Sequence, residues 1–239
     1  MNNTTFRHIT YAGITYFFAM GILEAAVVVY LRQLYYPDGF DFPLVPIDSF
    51  TIGVELIREV ATIVMLGAIG FILGSRKTSR IGWFFIGFGI WDLTYYLFLK
   101  LWLNWPDSIL TPDVLFLLPV TWISPVYAPV LLSGLLILLG SFMVHFNRRE
   151  HRPLDTFEWR LLIIGSFVCL TTFMSDSLRS FFNTISSESP SPTREVVDWA
   201  PDFNHLLFFL GMSIILLGII AYRFRMGRID KQMERAQWI

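Results

Sequence analysis

Charge is scarce in this chain. Only 15% of its 239 residues are Asp, Glu, Lys or Arg, against roughly 25% in a soluble domain. Cysteine is scarcer still. Cys169 stands alone inside an apolar run, which excludes an intrachain disulfide, a Cys-x-x-Cys pair and a cysteine zinc site. Cys169 therefore reads as a small packing residue. His8, His145 and His151 fall near one end of the apolar segments and His205 near the other. No two histidines face each other across a membrane interior, so haem is not expected. A G-x-S-x-G elbow and a phosphate-binding loop are also missing, which removes the usual serine-hydrolase and nucleotide readings. With a net charge of −1, total charge argues for no polyanionic partner, and nucleic acid is not expected.

What the chain has instead is apolar length. Hydrophobic residues make up 54%, Phe alone occurs 23 times, and mean hydropathy is +0.56. A membrane-spanning helix needs about 20 mainly apolar residues. Six stretches qualify, at about 9–31, 50–73, 81–103, 116–144, 160–184 and 203–223. The expected fold is an all-α integral membrane protein, a six-helix transmembrane bundle forming a single domain over 1–239. The first apolar run follows Arg7 and lacks a small-x-small cleavage site, so it reads as a retained helix. The fourth stretch opens with Pro119, Pro125 and Pro129. Its outer part is expected to be kinked, interfacial or unwound.

The connections alternate in charge. Arg76, Lys77 and Arg80 fill the second, Arg148, Arg149, Arg152 and Arg160 the fourth, and Arg223, Arg225, Arg228, Lys231 and Arg235 follow the last span. The first, third and fifth are acidic, with few bases such as Arg32 and Arg194. Lys and Arg concentrate on the cytoplasmic side of membrane proteins. Both termini are thus expected in the cytoplasm, in a plasma or inner membrane, with the basic tail resting on the inner leaflet. Trp83, Trp102, Trp105, Trp122, Trp159 and Trp199 fall near span ends and read as an interfacial belt. Trp91 sits mid-span.

Five carboxylates interrupt the apolar segments: Glu24, Glu55, Glu59, Asp92 and Asp176. Charged residues at such depth are costly and usually face a bundle interior. Counted at 1.5 Å per residue from the expected outer ends, Glu24, Glu59, Asp92 and Asp176 fall roughly 10–16 Å deep, in one slab. Helical spacing supplies direction. Glu55, Arg58, Glu59 and Thr62 share a face of the second span. Gly89, Asp92, Tyr96 and Lys100 share one on the third, and Gly165, Cys169, Thr172, Asp176, Arg179 and Asn183 line one on the fifth. These stripes predict one polar cavity opening outward, lined by Glu24, Glu55, Arg58, Glu59, Asp92, Tyr96, Asp176 and Arg179. The plain alternative is structural pairing of Arg58 with Glu55 or Glu59 and of Arg179 with Asp176. It leaves five acids against two embedded bases, because Lys100 can snorkel outward.

Such a cavity suits a proton, Na⁺ or a hard divalent cation. Glu59, Asp92, Asp176 and His205 form the candidate metal set, although no Glu-x-x-His or His-x-x-x-His pair supports it. The leading functional expectation is binding or transport of a small cation or solute from outside. A membrane enzyme using carboxylates on a lipid-soluble substrate is the second. A non-catalytic subunit of a larger membrane complex, or an oligomer, is the third. The proline- and aromatic-rich run from Asn104 to Val130 could line the cavity mouth.

Overall fold

The computed structural model describes residues 3–42, 44–147, 152–186 and 203–236. Among these residues six helices form: α1 (Asn3–Tyr35), α2 (Ser49–Leu73), α3 (Lys77–Leu103), α4 (Tyr127–Phe146), α5 (Thr156–Ser186) and α6 (His205–Ala236). All six are long and apolar enough to cross a membrane. Between α3 and α4 lies an antiparallel hairpin, β1 (Pro112–Phe116) and β2 (Trp122–Pro125). The chain is thus a polytopic helical bundle that also carries two short strands.

The hairpin replaces the first ten residues of the expected fourth span, 116–144. Proline lacks an N–H and clashes with the carbonyl four residues back, so helix cannot run through this segment. Pro112 and Pro125 face each other at the hairpin's open end, where a missing donor is tolerated. Helix resumes at Tyr127, and Pro129 falls in its first turn, where N–H groups have no intrahelical partner anyway. The register pairs Asp113 with Ser124 and Val114 with Ile123, with a bulge before Phe116 opposite Trp122. The hairpin points inward. Phe116 stacks on Phe88 and lies against Trp91, close to the middle of α3. Backbone outside a helix is tolerated at membrane depth when protein surrounds it.

The helices pack chiefly as α3 on α4, α5 on α6, α1 on α3 and α2 on α3. Small residues set the closest crossings. A Cβ on Gly140 would stand 2.4 Å from the Gly82 carbonyl, and one on Gly165 would stand 2.7 Å from the Gly211 carbonyl. Such small-on-small contacts maximise van der Waals packing where lipid supplies no hydrophobic drive. Trp83 and Trp105 are buried at 2% and 9% exposure. They belong to the interior and not to a headgroup belt, whereas Trp102 is exposed.

The end of the bundle opposite the hairpin is tied by a polar latch. Asp155 and Glu158 exchange backbone N–H bonds across the first turn of α5, a capping box. Glu158, 1% exposed, also accepts from Arg225 Nε and Nη2, both at 2.7 Å, fixing α6 to α5. Arg152 pairs with Asp230. Asn147, fully buried, donates to the Met143 and Arg152 carbonyls and contacts the Tyr222 hydroxyl. Helix α6 continues past its expected end at 223 because this latch holds its basic tail.

Candidate functional site

On the hairpin side, α2 draws away from α3. Their close approach is at the other end, where Gly70 and Gly74 meet Arg80 and Phe84. A cavity of about 440 Å³ fills the space among α1, α2, α3, the hairpin and the facing sides of α4 and α5. That volume lies within the range of small-molecule sites, ~300–1,000 Å³. Among the described residues, seven charged side chains line it: Glu24, Arg32, Glu55, Arg58, Glu59, Asp92 and Asp113. Five carboxylates therefore face two guanidiniums.

The first group joins α1 to α2. Arg58 donates to Glu55 from Nε at 2.8 Å and contacts Glu24 through Nη1. Thr62 lies 3.5 Å from the other oxygen of Glu24. One guanidinium thus serves two carboxylates, and the triad keeps one negative charge. The spacing of Glu55 and Arg58 puts both on the inner face of α2. The apolar residues around them, including Ile57 and Val60, are exposed on the outer face.

The second group joins α1 to the hairpin. Arg32, 7% exposed, donates from Nη2 to Asp113 at 3.1 Å. Asp113 also accepts from Tyr96 at 3.1 Å, with Tyr95 at 3.5 Å. The Arg32 guanidinium lies 3.7 Å from the Trp105 ring centre and 4.3 Å from that of Phe40. Cation–π contacts of this kind contribute about 1–2 kcal/mol each where water is excluded. They account for the burial of Arg32 Nη1, which has no hydrogen-bond partner.

The last two carboxylates lack a cation. Glu59 accepts the backbone N–H of Leu117 at the hairpin tip, at 2.9 and 3.1 Å to its two oxygens. That donor would otherwise be unpaired deep in the bundle. Asp92 accepts one hydroxyl bond, from Ser133 of α4 at 2.8 Å. Among the described residues neither makes an ion pair. The surrounding wall is aromatic: Phe88, Trp91 and Tyr95 from α3, Phe116 and Trp122 from the hairpin, and Phe173 from α5. Among the described residues, the buried indole N–H groups of Trp91 and Trp122 have no hydrogen-bond partner.

The structure brings Glu24, Glu55, Arg58, Glu59, Asp92 and Tyr96 to one cavity. Arg179 is exposed on α5 and does not line it. The side chain of Asp176 lies outside the described residues. His205 is exposed at the start of α6, its Nδ1 2.6 Å from the Tyr127 hydroxyl, and it takes no part in the cavity. Lys100 turns outward to the carbonyls of Asn104 and Pro106. Among the described residues, no three His, Cys, Asp or Glu side chains converge as a metal site would require. Arg32, Asp113 and Ser133 were not among the expected site residues. Arg32 and Asp113 sit at the edges of connections, where charge is normally solvated. The available signal was the apolar, proline-rich surroundings of Asp113 and the position of Arg32 within α1's last turn.

Comparison with protein families, with curated proteins and with solved structures finds no match for this chain.

Proposed function

We propose that this polytopic membrane protein binds, and carries across the membrane, a small cation or proton-coupled solute admitted from the extracytoplasmic side. The observation behind this reading is Asp92. Its carboxylate lines a cavity near the middle of a membrane-length helix, with one hydroxyl partner and no cation. An anion held there needs a proton, water or a cationic ligand to offset its desolvation. Glu59 is the second such group, and the Arg58 triad adds a further negative charge. The loop charges put both termini in the cytoplasm, so that the hairpin and the cavity mouth face outward.

Two measurements test this. Cysteines introduced at Ser108 and Ser75 should be labelled from outside and inside respectively. The opposite pattern removes the outward-facing mouth. In liposomes containing the protein, a pH-sensitive dye and elemental analysis of retained ions should report flux or binding that Asp92→Asn abolishes. Equal behaviour of variant and wild type would defeat the proposal.

The aromatic wall favours one rival, an enzyme acting on a lipid-soluble substrate with carboxylates as acid and base. Turnover of a bound lipid-soluble compound, with no flux, would select it.

A further inference from the structure

The cavity's chemistry narrows the ligand, given the cation-binding reading above. We infer that the site takes an amphiphilic organic monocation: a tertiary or quaternary ammonium on an aromatic or aliphatic body.

The carboxylates sort by what each already holds. Glu24 and Glu55 share Arg58. Asp113 has Arg32 and the Tyr96 hydroxyl. Glu59 accepts the Leu117 N–H at both oxygens. Among the described residues, Asp92 has neither a cation nor an N–H donor, only the Ser133 hydroxyl. Asp92 is therefore the carboxylate best placed to meet a single ammonium.

An inorganic ion fits the rest poorly. Ca²⁺ takes six to eight oxygens and Mg²⁺ a near-ideal octahedron. Asp92 and Ser133 offer too few, and no third acidic or histidine ligand joins them among the described residues. The volume of about 440 Å³ is that of an organic molecule. Its wall carries the rings of Phe88, Phe116, Trp122 and Phe173, stacked in pairs as Phe88 on Phe116 and Trp122 on Phe173. Aromatic faces attract ammonium groups and bury apolar bodies together. Trp91 lines the same wall at 6% exposure and adds a further aromatic ring beside Asp92.

Benzoylcholine combines a phenyl ring, an ester oxygen and a quaternary ammonium. Its carbon isostere, 3,3-dimethylbutyl benzoate, differs by the charge alone. Binding of each to the purified full-length protein is measured by equilibrium dialysis, with Ca²⁺ and Na⁺ in parallel. Benzoylcholine should bind about tenfold or more tighter than the isostere. Asp92→Asn should erase that preference and leave the isostere unchanged.

Equal binding of the two compounds to wild-type protein would overturn the cationic ligand class, without recourse to any variant. Asp92-dependent binding of Ca²⁺ or Na⁺ without benzoylcholine would overturn it while sparing the proposed cation function. Binding of none of the four would remove both.

Discussion

Replacing Arg58 by methionine tests whether the α1–α2 contact is an ion triad held out of water. Its three side chains are 23%, 13% and 10% exposed for Arg58, Glu24 and Glu55. Removing one partner of a buried pair generally costs about 3–5 kcal/mol, because the remaining charge is left uncompensated. Here two carboxylates would be stranded. Each can escape by taking up a proton. Partial exposure of the triad to cavity water favours the low end, so the expected loss for Arg58→Met is about 3 kcal/mol. Proton uptake is easier in acid, so the gap to wild type should narrow on acidification. Adding Glu24→Gln and Glu55→Gln should restore most of the loss at pH 7, since no stranded charge remains. The assay is reversible unfolding in bicelles at pH 7 and pH 5. A single variant within about 0.5 kcal/mol of wild type at pH 7, or a triple variant no better than the single, would refute a desolvated triad.

Glu59→Leu should strand the Leu117 N–H at a cost of about 1–3 kcal/mol, and amide exchange at 117 should accelerate, while Glu59→Gln, which still accepts, should exchange nearly as wild type does. Asp48 caps α2, accepting from the Thr51 hydroxyl and amide and from Tyr35, and these bonds hold its carboxyl down at about 2. A depressed folded-state value stabilises above the unfolded value of 3.8 and is lost as pH falls through about 2. Exchange protection at the start of α2 should therefore fade between those two values in wild type and be pH-independent there in Asp48→Asn. Arg225→Met should leave Glu158 buried without its cation, lowering stability by about 3 kcal/mol, with Glu158→Gln milder because an amide oxygen can still accept from Arg225.

The helices were readable because lipid imposes one rule on sequence, an apolar run of sufficient length. Those runs carry no proline in α1, α2 and α3. The inward faces were readable too, because Glu55, Arg58, Glu59 and Thr62 repeat with helical spacing, and the structure puts their side chains at the cavity or against Glu24. The hairpin was only half readable. Pro119, Pro125 and Pro129 rule out continuous helix, but proline spacing cannot say whether the freed backbone pairs with itself or frays outward. The pairing depends on Glu59, remote in sequence, to receive the Leu117 N–H. Arg32 and Asp113 were hidden for a similar reason. A charge beyond a span's end looks solvated until a distant segment folds over it, and 81 residues separate this pair. Phe40 and Trp105, from the connections after α1 and after α3, complete that burial.

The seam between α3 and α4 has one more consequence. Gly82 and Gly140 bring these helices into backbone contact, and Asp92 and Ser133 supply a side-chain hydrogen bond across them. The helices α1 to α3 and α4 to α6 meet chiefly along this line. The carboxylate that faces the cavity is thus also a fastener between the two halves of the molecule. Ser133 takes only one of the two carboxylate oxygens, Oδ2. A carboxylate accepts at both oxygens, so clasping the two halves and facing the chamber are compatible duties for one side chain.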